Sequence, residues 1–214
     1  MSERSLASAP EPLAPSGEQI EIVRGDQRAV VVEVGGALRA YDVGDWALLD
    51  GYRRDERCTA ARGQSLIPWP NRLRDGAYQF DDNDYQLALS EPAKANAIHG
   101  LVRFVNWTVA ERSSDRVTMA HVLHPQPGYP FALRLTIEYT LADLGLTVTT
   151  TATNAGTSRC PYGAGAHPYL SIGTNVIDAA VLKIPANRWL PSDERGIPTD
   201  VEPVDGTPYD FREP

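Results

Sequence analysis

The sequence has 214 residues, 42% hydrophobic and 22% charged, enough for one sizeable core and too few for two comfortable domains. That composition belongs to a chain that folds, not to a disordered one. The formal net charge is −8 and the basic residues are scattered instead of forming a stripe, which argues against a nucleic-acid partner.

Residues 1–17 are rich in Ser, Ala and Pro and carry no periodicity, so they are expected to form a disordered N-terminal tail ahead of one domain at 18–214. No basic start followed by an apolar run marks export, and no segment is long and apolar enough to span a bilayer; the expectation is a cytoplasmic protein with no membrane partner. Cys58 and Cys160 match no metal or redox spacing and are expected as free thiols.

Beyond the tail the apolar residues alternate with a period of two. Gln19–Val23, Ala29–Val34 and Leu38–Val43 read as strands. Tyr52–Asp75 breaks the rhythm and is expected to be irregular, followed by a short strand with Tyr78 and Phe80, and a second irregular stretch covers Ser90–Ile98. Trp107–Glu111 and Val117–Leu123 resume the alternation across a turn at Ser113-Ser114-Asp115. Leu133, Leu135, Ile137, Tyr139 and Leu141 define one face of a further strand. A turn centred on Asp143 joins it to a strand with Leu144, Leu146 and Val148 on one face and Thr147, Thr149 and Thr151 on the other. No window shows an apolar stripe at helical spacing, and 17 Gly and 17 Pro interrupt any candidate, so the reading is an all-β antiparallel sandwich.

Chemistry concentrates in the segments that break the alternation. In Pro68-Trp69-Pro70-Asn71-Arg72 two prolines stiffen the backbone and fix the directions of Asn71 and Arg72. A guanidinium can donate several hydrogen bonds to sugar oxygens while an indole covers an apolar sugar face, which makes Trp69 a candidate stacking wall. The alternative is a structural turn with Arg72 paired to a carboxylate. His99 in Asn96-Ala97-Ile98-His99-Gly100 and His167 in Gly163-Ala164-Gly165-Ala166-His167-Pro168-Tyr169 sit beside small residues that let a ligand approach; taken singly, a histidine is more often a satisfied structural or surface residue. His121 and His124 lie near prolines with nothing polar converging on them and read as structural. No histidine pair has metal-ligand spacing, so no metal is expected.

PWPNRLRDGAYQF at 68–80, NAIHGLVR at 96–103 with Trp107 beyond it, and YGAGAHPYL at 162–170 resemble the successive signatures of the aldose 1-epimerase (mutarotase) family. The similarity runs from about Gln19 to the final PYDFREP. The resemblance implies a large galactose mutarotase-like β-sandwich, and an isomerase that interconverts α and β anomers of a hexose such as galactose or glucose by acid/base ring opening, with no cofactor and a small aldose as its partner. It further implies His167 as the general acid and Asn71, Arg72, His99 and Tyr169 as substrate-binding residues. The family's general base is a glutamate near the C-terminus, and its sugar-binding aspartate follows a segment like Pro208-Tyr209-Asp210-Phe211-Arg212. Here two residues follow that segment, and Glu91, Glu138, Glu202 and Glu213 stand outside the base motif. The chain is therefore expected to be a domain without its C-terminal portion, with impaired activity and unpaired strand edges. Alternatives are a non-catalytic carbohydrate-binding sandwich and a hexose-phosphate 1-epimerase, the latter with Arg74 and Arg103 as candidate phosphate ligands.

Overall fold

The structure, a computed structural model, describes residues 13–174 and 176–213. The tail expected at 1–17 lies outside the described residues up to position 12. Its last residues are ordered: Gly17 N–H donates to Ala14 O at 2.8 Å, Val34 N–H donates to Ser16 O at 3.0 Å, and Ser16 is buried. Backbone pairing to the end of the second strand, which composition does not encode, moves the boundary back.

The first sheet is a sequential antiparallel meander of β1 (Gln19–Arg24), β2 (Gln27–Val32), β3 (Leu38–Val43) and β4 (Trp46–Ala47). Short pieces follow: β5 (Ser65–Leu66), β6 (Arg72–Arg74), the hairpin β7 (Ala77–Phe80) and β8 (Asn83–Gln86), a 3-10 turn at Pro92–Lys94, and β9 (Asn96–Ile98). The second sheet is another antiparallel meander of β10 (Thr108–Arg112), β11 (Arg116–Leu123), β12 (Leu133–Ala142) and β13 (Gly145–Asn154). After it come β14 (Gly165–Ala166), β15 (Arg188–Trp189) and β16 (Glu202–Pro203). No helix among the described residues is long and apolar enough to cross a membrane.

The two sheets share one core. Ile20, Ile22, Ala29 and Val31 from the first meet Val117, Met119, Leu133, Leu135, Ile137, Tyr139 and Leu141 from the second. This is the all-β antiparallel sandwich that the period-two alternation predicts. Five buried side chains line one face of β12, each worth on the order of 2 kcal/mol of burial, so a one-residue register slip there would forfeit on the order of 10 kcal/mol. The Tyr139 hydroxyl ties the layers together by donating to Gly36 O at 2.8 Å.

Three expectations change. The Tyr52–Asp75 stretch contains β5 and β6, and Ser90–Ile98 contains the 3-10 turn and β9. These strands are two or three residues long, too short for alternation to register. The 144–151 strand is β13, but Leu144 sits fully exposed in the turn, and Thr147 through Thr151 are exposed on both faces. Only Leu146 and Ala152, near the two ends of this edge strand, pack against the core.

Candidate functional site

Short strand pairs deliver the candidate residues to one place. β6 pairs antiparallel with β9, setting Arg72 opposite Ile98. The pairing continues one step further, where His99 N–H donates to Asn71 O at 2.8 Å. Asn71 N–H in turn donates to Nδ1 of the His99 ring at 3.0 Å. A backbone N–H can only donate, so Nδ1 is the unprotonated nitrogen and the ring proton sits on Nε2. Both residues have left-handed backbones, with φ of 56° at Asn71 and 62° at His99. Asparagine and histidine are among the non-glycine residues that adopt this conformation most readily.

The turn after His99 requires glycine. Leu101 N–H donates to Ile67 O at 2.8 Å, and a Cβ on Gly100, whose φ is +73°, would lie 1.9 Å from that carbonyl oxygen. The second histidine arrives from the other end of the chain. β14 pairs with β5, His167 N–H donates to Gln64 O at 3.2 Å, and Gly63 N–H donates to His167 O at 2.9 Å. The buried Gln64 amide then donates to Arg103 O at 2.9 Å, locking this segment to the β9 side.

The outcome is a surface cavity of about 490 Å³ lined by Arg72, His99, His167 and Tyr169, with Arg57, Cys58, Ile98, Arg103 and Phe104 among the remaining wall residues. The two imidazoles meet edge to face with ring centroids 5.7 Å apart. Tyr169 stacks on His167 at 5.1 Å, and the Arg62 guanidinium lies 4.8 Å from the Tyr169 centroid on that ring's face. Among the described residues neither ring nitrogen of His167 has a hydrogen-bond partner, which leaves both available to a ligand. Burial, then the nearby positive charge of Arg103, pushes His99 down to about 4. His99 is therefore a neutral donor at ordinary pH.

Arg72 satisfies both readings of it. It donates to Glu91 through Nε at 2.7 Å and Nη2 at 2.8 Å while still lining the cavity. Those bonds are the chief reason the Glu91 carboxyl is held down at about 2. The buried Asn96 amide donates to the same carboxylate at 3.0 Å. Arg195, from the loop before β16, closes the far side by donating to Lys94 O at 2.8 Å and to the Asp75 carboxylate at 2.8 Å.

Not every expected residue reaches the cavity. Asn71 holds His99 with its backbone, and its side-chain oxygen accepts from Arg72 Nη1 at 3.2 Å without forming part of the wall. Trp69 lines a separate apolar cavity of about 240 Å³ with Pro68, Leu73, Tyr78, Tyr129 and Tyr162. The aromatics at the imidazole cavity are instead Tyr169 and Phe104, the latter 61% exposed. Sequence reasoning missed Arg57 and Phe104, and for Phe104 the signal was available in its place one residue after Arg103. His121 is structural as expected, bonded to Asn106 O at 3.1 Å and packed on Trp107. A larger cleft of about 730 Å³ near β1 and β2 carries no histidine, and its Arg28 is already paired with Glu21 and Asp42. Among the described residues no three His, Cys, Asp or Glu side chains converge as metal ligands.

The class that the fold and the site define is an all-β antiparallel sandwich with two imidazoles and an anchored guanidinium around an open polar cavity. Within that class, the chain belongs to the aldose 1-epimerase family, which it matches over residues 18–214. It is 36% identical over 197 residues to the uncharacterized protein YihR of Escherichia coli, an alignment covering 92% of this chain and 64% of YihR. It is 30% identical over 158 residues to the aldose 1-epimerase of the same organism, covering 70% of this chain and 44% of that enzyme. The fold is that of the GalM/aldose epimerase homologue from C. elegans, with a TM-score of 0.81 at 20% identity over 92% of this chain and 64% of that one. The matched segments thus span somewhat under two thirds of YihR and of the C. elegans homologue and less than half of the aldose 1-epimerase.

Proposed function

We propose that the protein binds an aldose in the 490 Å³ cavity and promotes interconversion of its α and β anomers. The observation that carries this reading is the pair of imidazoles in one wall, one neutral and fixed as an Nε2–H donor, the other with both ring nitrogens unpartnered. Ring opening needs a proton delivered to the ring oxygen as the C1–O bond breaks and a proton removed from the C1 hydroxyl; closure reverses both transfers. His167 is the donor to the ring oxygen, since it lines the cavity and neither of its ring nitrogens has a hydrogen-bond partner among the described residues. His99 Nε2–H and Arg72 donate to sugar oxygens, Tyr169 supports the His167 ring, and Asn71 positions His99.

Among the described residues no carboxylate lines the cavity, and Glu91 is committed to Arg72 and Asn96. The partner that removes the C1 proton is therefore not among the lining residues, and losing one such partner lowers a rate by about 10² to 10⁴. A second reading is a carbohydrate-binding sandwich with little or no catalysis. NMR exchange between the anomers of freshly dissolved α-glucose or α-galactose, alongside titration of sugar binding, tests both. Exchange above the uncatalysed rate that disappears in His167→Asn supports the epimerase. Binding without exchange supports the binder. Exchange that survives undiminished in His167→Asn sinks the assignment of His167.

A further inference from the structure

The geometry points to Arg62 and Asp50 as positioning residues for His167, acting through the Tyr169 ring. The inference rests on the anomer-exchange reading above and deepens it. Neither ring nitrogen of His167 has a hydrogen-bond partner among the described residues, so no polar contact there orients the imidazole. Its direction is set by packing, edge to face against His99 and stacked on Tyr169 at 5.1 Å with an interplanar angle of 19°. A proton donor works only when it is held close to its productive geometry, so whatever fixes Tyr169 also fixes the acid.

Two loops clamp Tyr169. From the first, Asp50 N–H donates to Tyr169 O at 2.8 Å, and Leu48 O accepts from Ser171 N–H at 3.0 Å. From the second, Ala60 O accepts from the Tyr169 hydroxyl at 3.2 Å, and the Arg62 guanidinium lies over the ring, 4.8 Å from its centroid. The Asp50 carboxylate pairs with Arg62 Nη2 at 2.9 Å, so one residue holds both the main chain of Tyr169 and the cation on its ring. Arg62 itself does not line the cavity, and its side chain is 30% exposed. Its Nε is buried without a hydrogen-bond partner among the described residues. An unpaired buried N–H is unfavourable, and the ion pair and the cation–π contact are what the guanidinium gains in that place. The same loop holds two successive alanines in a conformation they rarely adopt, with φ of 52° at Ala60 and 60° at Ala61, both on the cavity wall. Such strain persists where the surroundings over-determine the backbone, and here those surroundings include the contacts to His167 and Tyr169.

The test records the His167 imidazole signals by proton–nitrogen NMR beside anomer exchange of glucose and galactose, for the intact chain and for Arg62→Ala, Arg62→Lys and Asp50→Ala. In Arg62→Ala the His167 ring protons should lose the ring-current displacement they owe to Tyr169 and move toward free-histidine positions, while those of His121, packed on Trp107, stay in place. The exchange rate at saturating sugar should fall about 10- to 100-fold with the half-saturating concentration changed less than about 3-fold, because the acid is displaced while His99 and Arg72 still hold the sugar. Asp50→Ala, at a side chain 58% exposed, keeps the main-chain bond to Tyr169 and should show the same changes in smaller measure. Arg62→Lys keeps a cation without the planar group and should restore part of the rate. His167 signals and exchange unchanged in Arg62→Ala overturn the inference; where Arg62→Ala does not fold, the same result in Asp50→Ala does so. A His121 displacement equal to that of His167 in Asp50→Ala marks a general loosening and also overturns it. An intact chain with no exchange above the uncatalysed rate overturns the epimerase reading, and the His167 signals then decide the positioning role alone.

Discussion

Replacing Glu91 with alanine strips the Arg72 guanidinium of its only carboxylate partner among the described residues. The pair is joined by two charge-assisted bonds of 2.7 and 2.8 Å, and both side chains are less than a quarter exposed. Breaking such a pair leaves a largely desolvated cation, and after discounting for the residual exposure the loss should be about 2 to 3 kcal/mol. For a chain of this size that corresponds to a fall in Tm of roughly 4 to 10 °C. The pH dependence has a definite sign. The Arg72 bonds hold the folded Glu91 carboxyl at about 2, below its unfolded value, so the stabilisation is complete above the unfolded pKa and is lost as pH falls through about 2. Urea unfolding of the intact chain and Glu91→Ala should therefore show a constant gap from about pH 5 to 8 that narrows below about pH 4. A midpoint unchanged by the substitution, or a gap that widens on acidification, would refute the claim that this ion pair anchors the cavity wall.

Alanine at Gly100, where a Cβ would meet Ile67 O at 1.9 Å, should cost about 3 kcal/mol or more in chemical denaturation, whereas Gly25→Ala, with a similar φ and nothing within 4 Å, should cost only about 1 kcal/mol. His99 is held neutral down to about 4, so its contribution to sugar affinity should be flat from neutral pH to about 5 and fall near 4; a midpoint close to the free-histidine value would contradict its burial. The same shift means the unfolded chain takes up the proton first, so the stability of the intact protein relative to His99→Gln should decline as pH drops from about 6.5 to about 4. Tyr139→Phe leaves Gly36 O without its hydroxyl donor in a fully buried setting and should lower stability by about 1 to 2 kcal/mol by calorimetry.

The sandwich is legible in the sequence because β11 and β12 are long enough for alternation to repeat, and the buried residues of β12 are the ones its pattern selects. The site is legible only in part. His99 and His167 stand out because small residues flank them, and Arg72 because prolines stiffen its approach. What the chain cannot announce is which partner each side chain meets. Arg72 and Glu91 are 19 residues apart in segments without periodicity, and the same is true of Arg57 in a stretch with no strand until Ser65. Trp69 and Phe104 show the same limit: both flank site residues, and only backbone direction decides that the indole turns toward Tyr78 and Tyr129 while the phenyl ring faces the imidazoles.

The ten-residue β13 ends its sheet with one full row of peptide groups facing outward, and its sequence from Gly145 to Asn154 holds no charged side chain and no proline. Among the described residues no strand pairs with that row, which leaves a stripe of main chain able to accept a strand from a neighbouring chain, a copy of itself included. Handling at high concentration, crystallisation and display on a surface all inherit that constraint, and one lysine set into the threonine run is the economical remedy.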